Sequence, residues 1–117
     1  MPTKLSDREL SELKKLKDAL ELFRIVRTTM PLQYANTLLL VAIEEGKSVG
    51  DYAREAGISP SVMSRHLLDI GERNRHMSKG FGLVTFRPNP MNLREHQYFL
   101  TTKGQTLVNQ LIKKMNG

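Results

Sequence analysis

Three polar side chains in one short segment have the types and spacing needed to contact the edges of DNA bases. Ser61, Ser64 and Arg65 follow the helix-start signal Ser59–Pro60, so they lie in the first turns of a predicted helix. Arginine can donate two parallel hydrogen bonds to guanine, and serine hydroxyls can pair with bases or phosphates. The segment therefore has the chemistry of a helix that enters the major groove.

An apolar stripe indicates which side of this helix faces the protein. Met63, Leu67 and Ile70 recur at spacings of four and three, which is typical of a buried helix face. The side chains outside the stripe are the candidates for contact with DNA, and the alternative for each is a merely solvated position. The candidates on the helix and its cap are Ser59, Ser61, Val62, Ser64, Arg65 and His66.

The charge distribution points to the same part of the chain. The chain has a net charge of +6 and a pI of about 9.8, and residues 59–103 carry seven basic and three acidic side chains. A small domain this basic favours a polyanionic partner. Candidates for additional phosphate contacts after the predicted helix are Arg73, Arg75 and Lys79.

The sequence lacks the residue arrangements that catalysis and metal binding commonly require. There is no cysteine, and the spacing of the three histidines matches no standard metal site. No glycine-rich phosphate loop, nucleophile elbow or recognisable carboxylate pair is present. We expect no enzyme activity, no catalytic residue, no metal and no cofactor. The chain also has no long apolar run, and its first residues do not resemble a secretory signal, so we expect a cytoplasmic, nucleoid-associated protein.

Capping signals and periodicity predict the elements that position these residues. Ser6 and Glu9 form a capping box before a long amphipathic helix, and Ser48 and Ser59 are further N-cap candidates. The predicted helices cover residues 6–29, 32–45, 48–56, 59–70 and 103–115, the last capped by Thr102. One glycine costs a helix only about 1 kcal/mol, so Gly71 leaves the end of the fourth helix open. We favour its continuation toward residue 79 over a loop.

Two β-strands are predicted between the fourth and the last helix. Residues 81–87 and 96–100 are rich in β-branched and aromatic side chains, and the turn residues 88–92 separate them. The result is a mostly α-helical single domain, residues 1–117, with a small β-hairpin at about residues 82–100. Its order of helix, turn, helix, strand, basic loop, strand and helix is that of a winged helix-turn-helix.

Several segments resemble the MarR group of bacterial and archaeal transcription regulators. The resemblance lies in residues 49–67, 82–84, 87–94 and 100–104, and it covers the chain from about residue 31 to its end. Two features depart from the group: about eight extra residues follow the recognition helix, and Asn92 stands where the group has an aspartate that orients an arginine. The resemblance implies that Arg94 enters the minor groove or holds a phosphate, with Arg87 and Asn89 in support.

The two terminal helices carry apolar stripes that the winged core, residues 31–100, does not need. We predict that they pair two copies of the chain, although packing against each other within one chain is the alternative. The predicted dimerisation residues are Leu10, Leu13, Leu16, Leu20, Phe23, Leu107, Val108, Leu111, Ile112 and Met115.

These observations together predict a homodimeric transcription regulator that binds double-stranded DNA sequence-specifically, with repression as the favoured role. A twofold dimer sets its recognition helices about 34–36 Å apart, one turn of DNA. The resembling regulators often sense small phenolic ligands, and the sequence leaves a small-molecule effector, a protein effector or constitutive binding open. Two rival functions are an architectural DNA-binding protein with little sequence preference and a winged helix used only for protein interaction.

Overall fold

Five helices and one antiparallel hairpin make up the part of the chain that the computed structural model describes, residues 4–72 and 79–117. The elements are α1 (Asp7–Val26), α2 (Leu32–Ile43), α3 (Val49–Ala56), α4 (Pro60–Ile70), β1 (Val84–Asn89), β2 (Asn92–Leu100) and α5 (Thr102–Asn116). This order confirms the predicted winged helix-turn-helix. Within the described ranges, no helix is both long enough and apolar enough to cross a membrane.

The helix starts follow from local hydrogen bonds that the sequence indicates. On α1 the Glu9 backbone N–H donates to Ser6 Oγ at 3.1 Å, and the Ser6 N–H donates to Glu9 Oε1 at 2.9 Å. Ser48 and Asp51 form the same reciprocal box on α3, with both bonds at 3.2 Å. Each backbone N–H stabilises the carboxylate that accepts it, which lowers the pKa of Glu9 and of Asp51.

The hydrophobic core lies between α2, α4 and the base of the hairpin. Leu38 and Val41 on α2 and Met63 and Ile70 on α4 have no exposed surface, and Leu67 is only 1% exposed. Helices α3 and α4 pack on α2, whereas α5 packs mainly along α1. One side of α4 is therefore packed in the core, and its other side lies on the protein surface.

A tight turn joins α3 to α4 and sets their angle. Gly57 has a φ of +70°, a left-handed conformation that glycine adopts without the steric cost of a Cβ atom. The Ile58 N–H donates to the Ala53 carbonyl at 3.1 Å, and the Gly57 N–H donates to the Arg54 carbonyl at 3.3 Å, as in a Schellman motif. Ser59 then caps α4, as predicted.

The predicted continuation of α4 beyond Ile70 is wrong at its first step. Gly71 is extended rather than helical, and α4 ends there. The amides of residues 81 to 83 take the last carbonyls that a longer helix would have needed: Phe81 N–H donates to Asp69 O at 3.1 Å and Leu83 N–H to Ile70 O at 2.8 Å. The rest of the favoured extension, residues 73–78, lies outside the described residues.

The strands of the hairpin extend closer to its tip than the sequence predicts. Strand β1 begins three residues later than expected, at Val84, and continues through Pro88 to Asn89, while β2 starts at Asn92 rather than His96. Pairing runs regularly from Val84 with Leu100 to Pro88 with His96 and then steps to Asn89 with Asn92. Residues 93–95 are therefore extra residues on β2, a bulge close to the tip.

The last helix starts one residue earlier than predicted. Thr101, not Thr102, is its N-cap: its Oγ1 accepts the Gly104 N–H at 3.0 Å and donates to the Gly82 carbonyl at 2.6 Å. The cap thus ties the start of α5 to the backbone that leads into β1.

Candidate nucleic-acid interface

The outward face of α4 presents the polar side chains that the sequence singles out. Ser61, Ser64 and Arg65 are all exposed, whereas Met63 between them is completely buried. The same short stretch of α4 thus has one face fixed in the core and another face with two hydroxyls and a guanidinium. This arrangement is what a helix needs to enter the major groove without losing its own support.

The start of α4 is held by serine hydroxyls. Ser59 Oγ accepts the Val62 N–H at 3.3 Å and lies 3.2 Å from Ser61 Oγ. Val62 is half-buried beside them. The two hydroxyls are therefore neighbours at the N-terminus of the helix, where backbone N–H groups and the helix dipole favour an anion.

The structure places His66 differently from the other candidates on α4. Its ring packs edge-on against Tyr34 of α2, with centroids 5.2 Å apart, and the side chain is half-buried. The Tyr34 hydroxyl donates to Asp69 Oδ2 at 2.6 Å. His66 thus belongs to a contact that holds α4 on α2.

This contact extends to the segment before the hairpin and to the end of α1. The Phe81 ring meets Tyr34 edge-on at 5.8 Å, and the Arg27 guanidinium lies 4.9 Å from the Phe81 centroid. The Lys103 ammonium donates to the Phe81 carbonyl at 2.9 Å. No local sequence pattern indicates this cluster, because its members are far apart in the chain.

Lys79 is one of the three basic residues after α4 that are predicted to contact phosphate. Lys79 is exposed. The predicted phosphate contacts Arg73 and Arg75 lie outside the described residues. Within residues 4–72 and 79–117, no three histidine, aspartate or glutamate side chains group as metal ligands.

Of the three predicted wing residues, Arg87 and Asn89 have side-chain contacts within the hairpin, and both Arg87 and Arg94 are exposed. The Arg87 guanidinium stacks over the Phe99 ring at 4.6 Å. Asn89 accepts the Met91 N–H at 2.9 Å and donates to Glu95 Oε1 at 3.2 Å, so both ends of its amide shape the tip. Arg94 is exposed on the bulge.

Asn92 acts on Arg94 through the backbone. Its Oδ1 accepts the Arg94 backbone N–H at 3.2 Å. An amide oxygen in this position fixes the local turn but carries no charge to attract a guanidinium. The departure from the aspartate of the resembling group therefore leaves the backbone bend of the wing in place.

A cleft separates α4 from the wing. It has a volume of about 430 Å³ and an apolar lining, which includes Leu67, Leu68, Val84, Phe86 and Tyr98. At its edge the Thr85 hydroxyl donates to Glu72 Oε1 at 2.9 Å. On the wing, Phe86 also stacks on His96 with centroids 4.3 Å apart. The Thr85–Glu72 hydrogen bond thus links the wing to the segment that follows α4, whereas the Phe86–His96 stack lies within the wing.

The predicted dimerisation residues fall into two groups. The four that pack within one chain, as the alternative interpretation holds, are Phe23, Leu107, Val108 and Leu111, all less than 10% exposed. The six that keep about half of their surface exposed are Leu10, Leu13, Leu16, Leu20, Ile112 and Met115. The second group forms an apolar surface along α1 and the end of α5, which we call the leucine stripe.

Two exposed apolar residues at the wing tip were missed by the sequence analysis. Met91 is 92% exposed and Leu93 is 74% exposed. The available signal was their presence in a turn rich in proline and asparagine, where polar residues are typical.

The fold resembles several solved structures of transcription regulators. S. aureus MepR, in its complex with DNA, has a TM-score of 0.68 at 18% identity over 93% of this chain and 81% of its own. A regulator from Thermotoga maritima gives 0.66 at 19% identity, and a MarR regulator from Methanosarcina mazei Go1 gives 0.61 at 16% identity, each over 92% of this chain. This chain spans only 66% and 65%, respectively, of those two proteins.

The sequence itself is far from these proteins. No protein-family model and no curated protein matches it. At such low identity the structural likeness establishes the fold, and that fold has the order of elements predicted from the residues. The chain therefore has the winged helix-turn-helix fold of the MarR-type transcription regulators.

Proposed function

We propose that the protein is a transcription regulator that binds double-stranded DNA sequence-specifically as a homodimer, with repression as its primary role. The observation that carries the proposal is the two-sided character of α4. Its core side is fixed by Met63, Leu67 and Ile70, while Ser61, Ser64 and Arg65 are exposed within its first two turns. A rigid helix with such a polar face is suited to reading base edges.

The wing supplies the second contact of the proposed complex. Arg94 is exposed near its tip, and the stacking of Phe86 on His96 and of Arg87 over Phe99 stiffens the hairpin behind it. An arginine held in this way can enter the minor groove, where the negative potential attracts guanidinium groups. The proposed footprint is thus α4 in the major groove and the wing in the adjacent minor groove.

The leucine stripe supports the homodimer. Six apolar side chains, each about half exposed, lie along α1 and near the end of α5. A second copy related by a twofold axis would cover them with the same surface, because such an interface is self-complementary. Two copies of α4 would then meet an imperfect palindrome.

Selection from a random duplex library at about 150 mM salt tests the proposal under near-physiological screening. We expect enrichment of a palindrome whose half-sites lie about one helical turn apart. DNA binding without enrichment would support the architectural alternative. An absence of binding, repeated at low salt, would contradict DNA binding and favour a protein-interaction module.

Repression needs a separate measurement. The enriched site is placed over a promoter in a reporter, and transcription is measured with and without the protein. We expect lower transcription with the wild type and a return toward the basal level with Arg65→Ala. Increased transcription with the wild type would identify an activator.

A further inference from the structure

The tip of the wing carries an apolar side chain with almost no contact to the rest of the protein. Met91 is 92% exposed, the highest value among the large apolar side chains of residues 4–72 and 79–117. Leu93, two residues later, is 74% exposed. A single exposed apolar residue is ordinary on a protein surface, so its meaning depends on how the backbone presents it.

The backbone under Met91 is held rigidly by hydrogen bonds. Pro90 fixes its own φ, and the Met91 N–H donates to Asn89 Oδ1 at 2.9 Å. The same asparagine donates to Glu95 Oε1 on the returning strand at 3.2 Å. These bonds therefore shape the tip without burying Met91, so the side chain is already exposed before a partner binds.

The bulge places a cation, Arg94, beside this apolar tip, together with Glu95, whose carboxylate accepts the Asn89 amide. Because pairing steps from Pro88 with His96 to Asn89 with Asn92, residues 93–95 are extra on β2. They include Leu93 and Arg94, both exposed. An exposed cation within three residues of an exposed thioether suits a DNA duplex, where phosphates line the groove and the faces of the stacked bases are apolar.

We propose that Met91 is an apolar wedge that inserts between base pairs from the minor groove and kinks the duplex, an inference that rests on the proposed DNA binding. Minor-groove proteins insert methionine, leucine or proline between base steps and bend DNA by about 20–90°. The methionine side chain is flexible and polarisable, so it can fit an opened step. Arg94 enters the minor groove beside it, and the protein bends its site as well as reading it.

The wedge also predicts a sequence preference away from α4. Pyrimidine–purine steps unstack more easily than others, so the selected sites should carry such a step where the wing meets the minor groove. Specificity at that position would come from the deformability of the DNA.

The test measures bending and affinity on the best duplex from the selection. Energy transfer between dyes at the two duplex ends reports the bend, and 2-aminopurine at the wing-facing step reports unstacking. The variants are Met91→Ser, which removes the apolar group, and Met91→Leu, which keeps it. Ile43→Ser is the matched control, because Ile43 is 82% exposed at the end of α2, outside the proposed interface.

We expect the wild type and Met91→Leu to bend the duplex and unstack the step. Met91→Ser should lose most of the bend and about tenfold in affinity, since the bend permits additional contacts. Ile43→Ser should behave as the wild type. Thermal unfolding of each variant is expected to match the wild type, because both positions are exposed.

Two results would overturn the wedge and leave DNA binding intact. One is a wild-type complex with straight DNA; the other is Met91→Ser with an unchanged bend and affinity while Arg94→Ala binds more weakly. Absence of duplex binding by the wild type at low salt would overturn the wedge and the proposed function together.

Discussion

Tyr52 is a buried phenol that ties α3 to the end of α2. Its hydroxyl donates to the Glu44 carbonyl at 2.7 Å and accepts the Lys47 N–H at 3.3 Å, and the residue is only 2% exposed. Burial raises the pKa of Tyr52 to about 12, because the phenolate would lose its hydration. Burial also raises the pKa of Tyr98 on the wing.

The raised pKa of Tyr52 predicts how stability depends on alkaline pH. The unfolded phenol ionises near pH 10 and the folded one near pH 12, so this contribution is complete below about pH 10 and is lost as the pH rises through about 12. Tyr52→Phe should unfold about 1 kcal/mol more easily near pH 8, since it lacks a hydrogen bond, and should lose less stability above pH 10. Urea unfolding across this range checks both effects. Parallel curves for the two proteins would contradict the assignment.

Arg65 is the residue on which the proposed base-specific recognition depends most directly. Arg65→Ala should relax sequence preference at one position of each half-site and cost about 1–3 kcal/mol in binding to the preferred site. Repeating the duplex selection with the variant measures the preference. A variant that binds all sequences more weakly, with an unchanged sequence preference, would place Arg65 on a phosphate instead.

At the level of elements, the junction between the wing and α5 depends on a close backbone approach. A Cβ atom on Gly104 would lie 2.1 Å from the Leu83 carbonyl oxygen, a backbone atom that cannot move aside cheaply. The same oxygen accepts the Thr101 N–H at 3.0 Å. Glycine is thus required where α5 meets the strand lead-in.

Gly104→Ala should therefore lower the free energy of unfolding by about 1–3 kcal/mol through steric strain. Gly50→Ala is the matched control: it lies in α3, where a Cβ atom would meet only Ser48 Oγ at 3.8 Å. The control should raise stability by about 0.5–1 kcal/mol, because alanine favours the helix. Chemical denaturation compares them, and equal effects of the two substitutions would contradict the close approach.

The elements that the sequence predicts well are those defined by local chemistry. Ser6, Ser48 and Ser59 mark their helices correctly because a capping hydrogen bond involves residues only three apart. The end of α4 depends on amides ten or more residues away, so Gly71 alone leaves it undecided. Strand β1 passes through Pro88 because both strands of a two-stranded hairpin are edges, where a missing N–H is tolerated.

The candidate interface likewise contains residues that local sequence patterns predict and contacts that they do not. The exposed face of α4 follows from helical spacing, so Ser61, Ser64 and Arg65 could be chosen from the sequence. The packing of His66 against Tyr34 depends on how α2 crosses α4, which no local pattern encodes. The exposure of Met91 likewise depends on the turn and the bulge together.

The whole molecule is elongated, with extents of 54 × 26 × 24 Å and a radius of gyration of 16.1 Å. A compact chain of this length would have a radius of gyration of about 13 Å. Only Ala19 and Phe23 are buried along the 20 residues of α1, so most of this helix surface is open to solvent. The shape therefore leaves room for a second copy along α1.

Replacing Leu16 and Leu20 together with aspartate should dissociate the proposed dimer, since two charges would be placed inside its apolar interface. Sedimentation is expected to show a monomer. Ile25→Asp combined with Ile43→Asp is the matched control, because both isoleucines are at least 80% exposed and lie off the leucine stripe. A dimer that survives the leucine substitutions would remove the stripe from the interface.

The sparse cover of α1 also has a consequence for the proposed regulation of transcription. If a second copy completes the burial of this helix, dilution weakens both its fold and the DNA complex. Amide hydrogen exchange in α1 should then slow as protein concentration rises, while exchange in α2 changes little. At low expression, site occupancy would follow the square of the chain concentration, so a twofold rise in synthesis would give about a fourfold rise in occupancy.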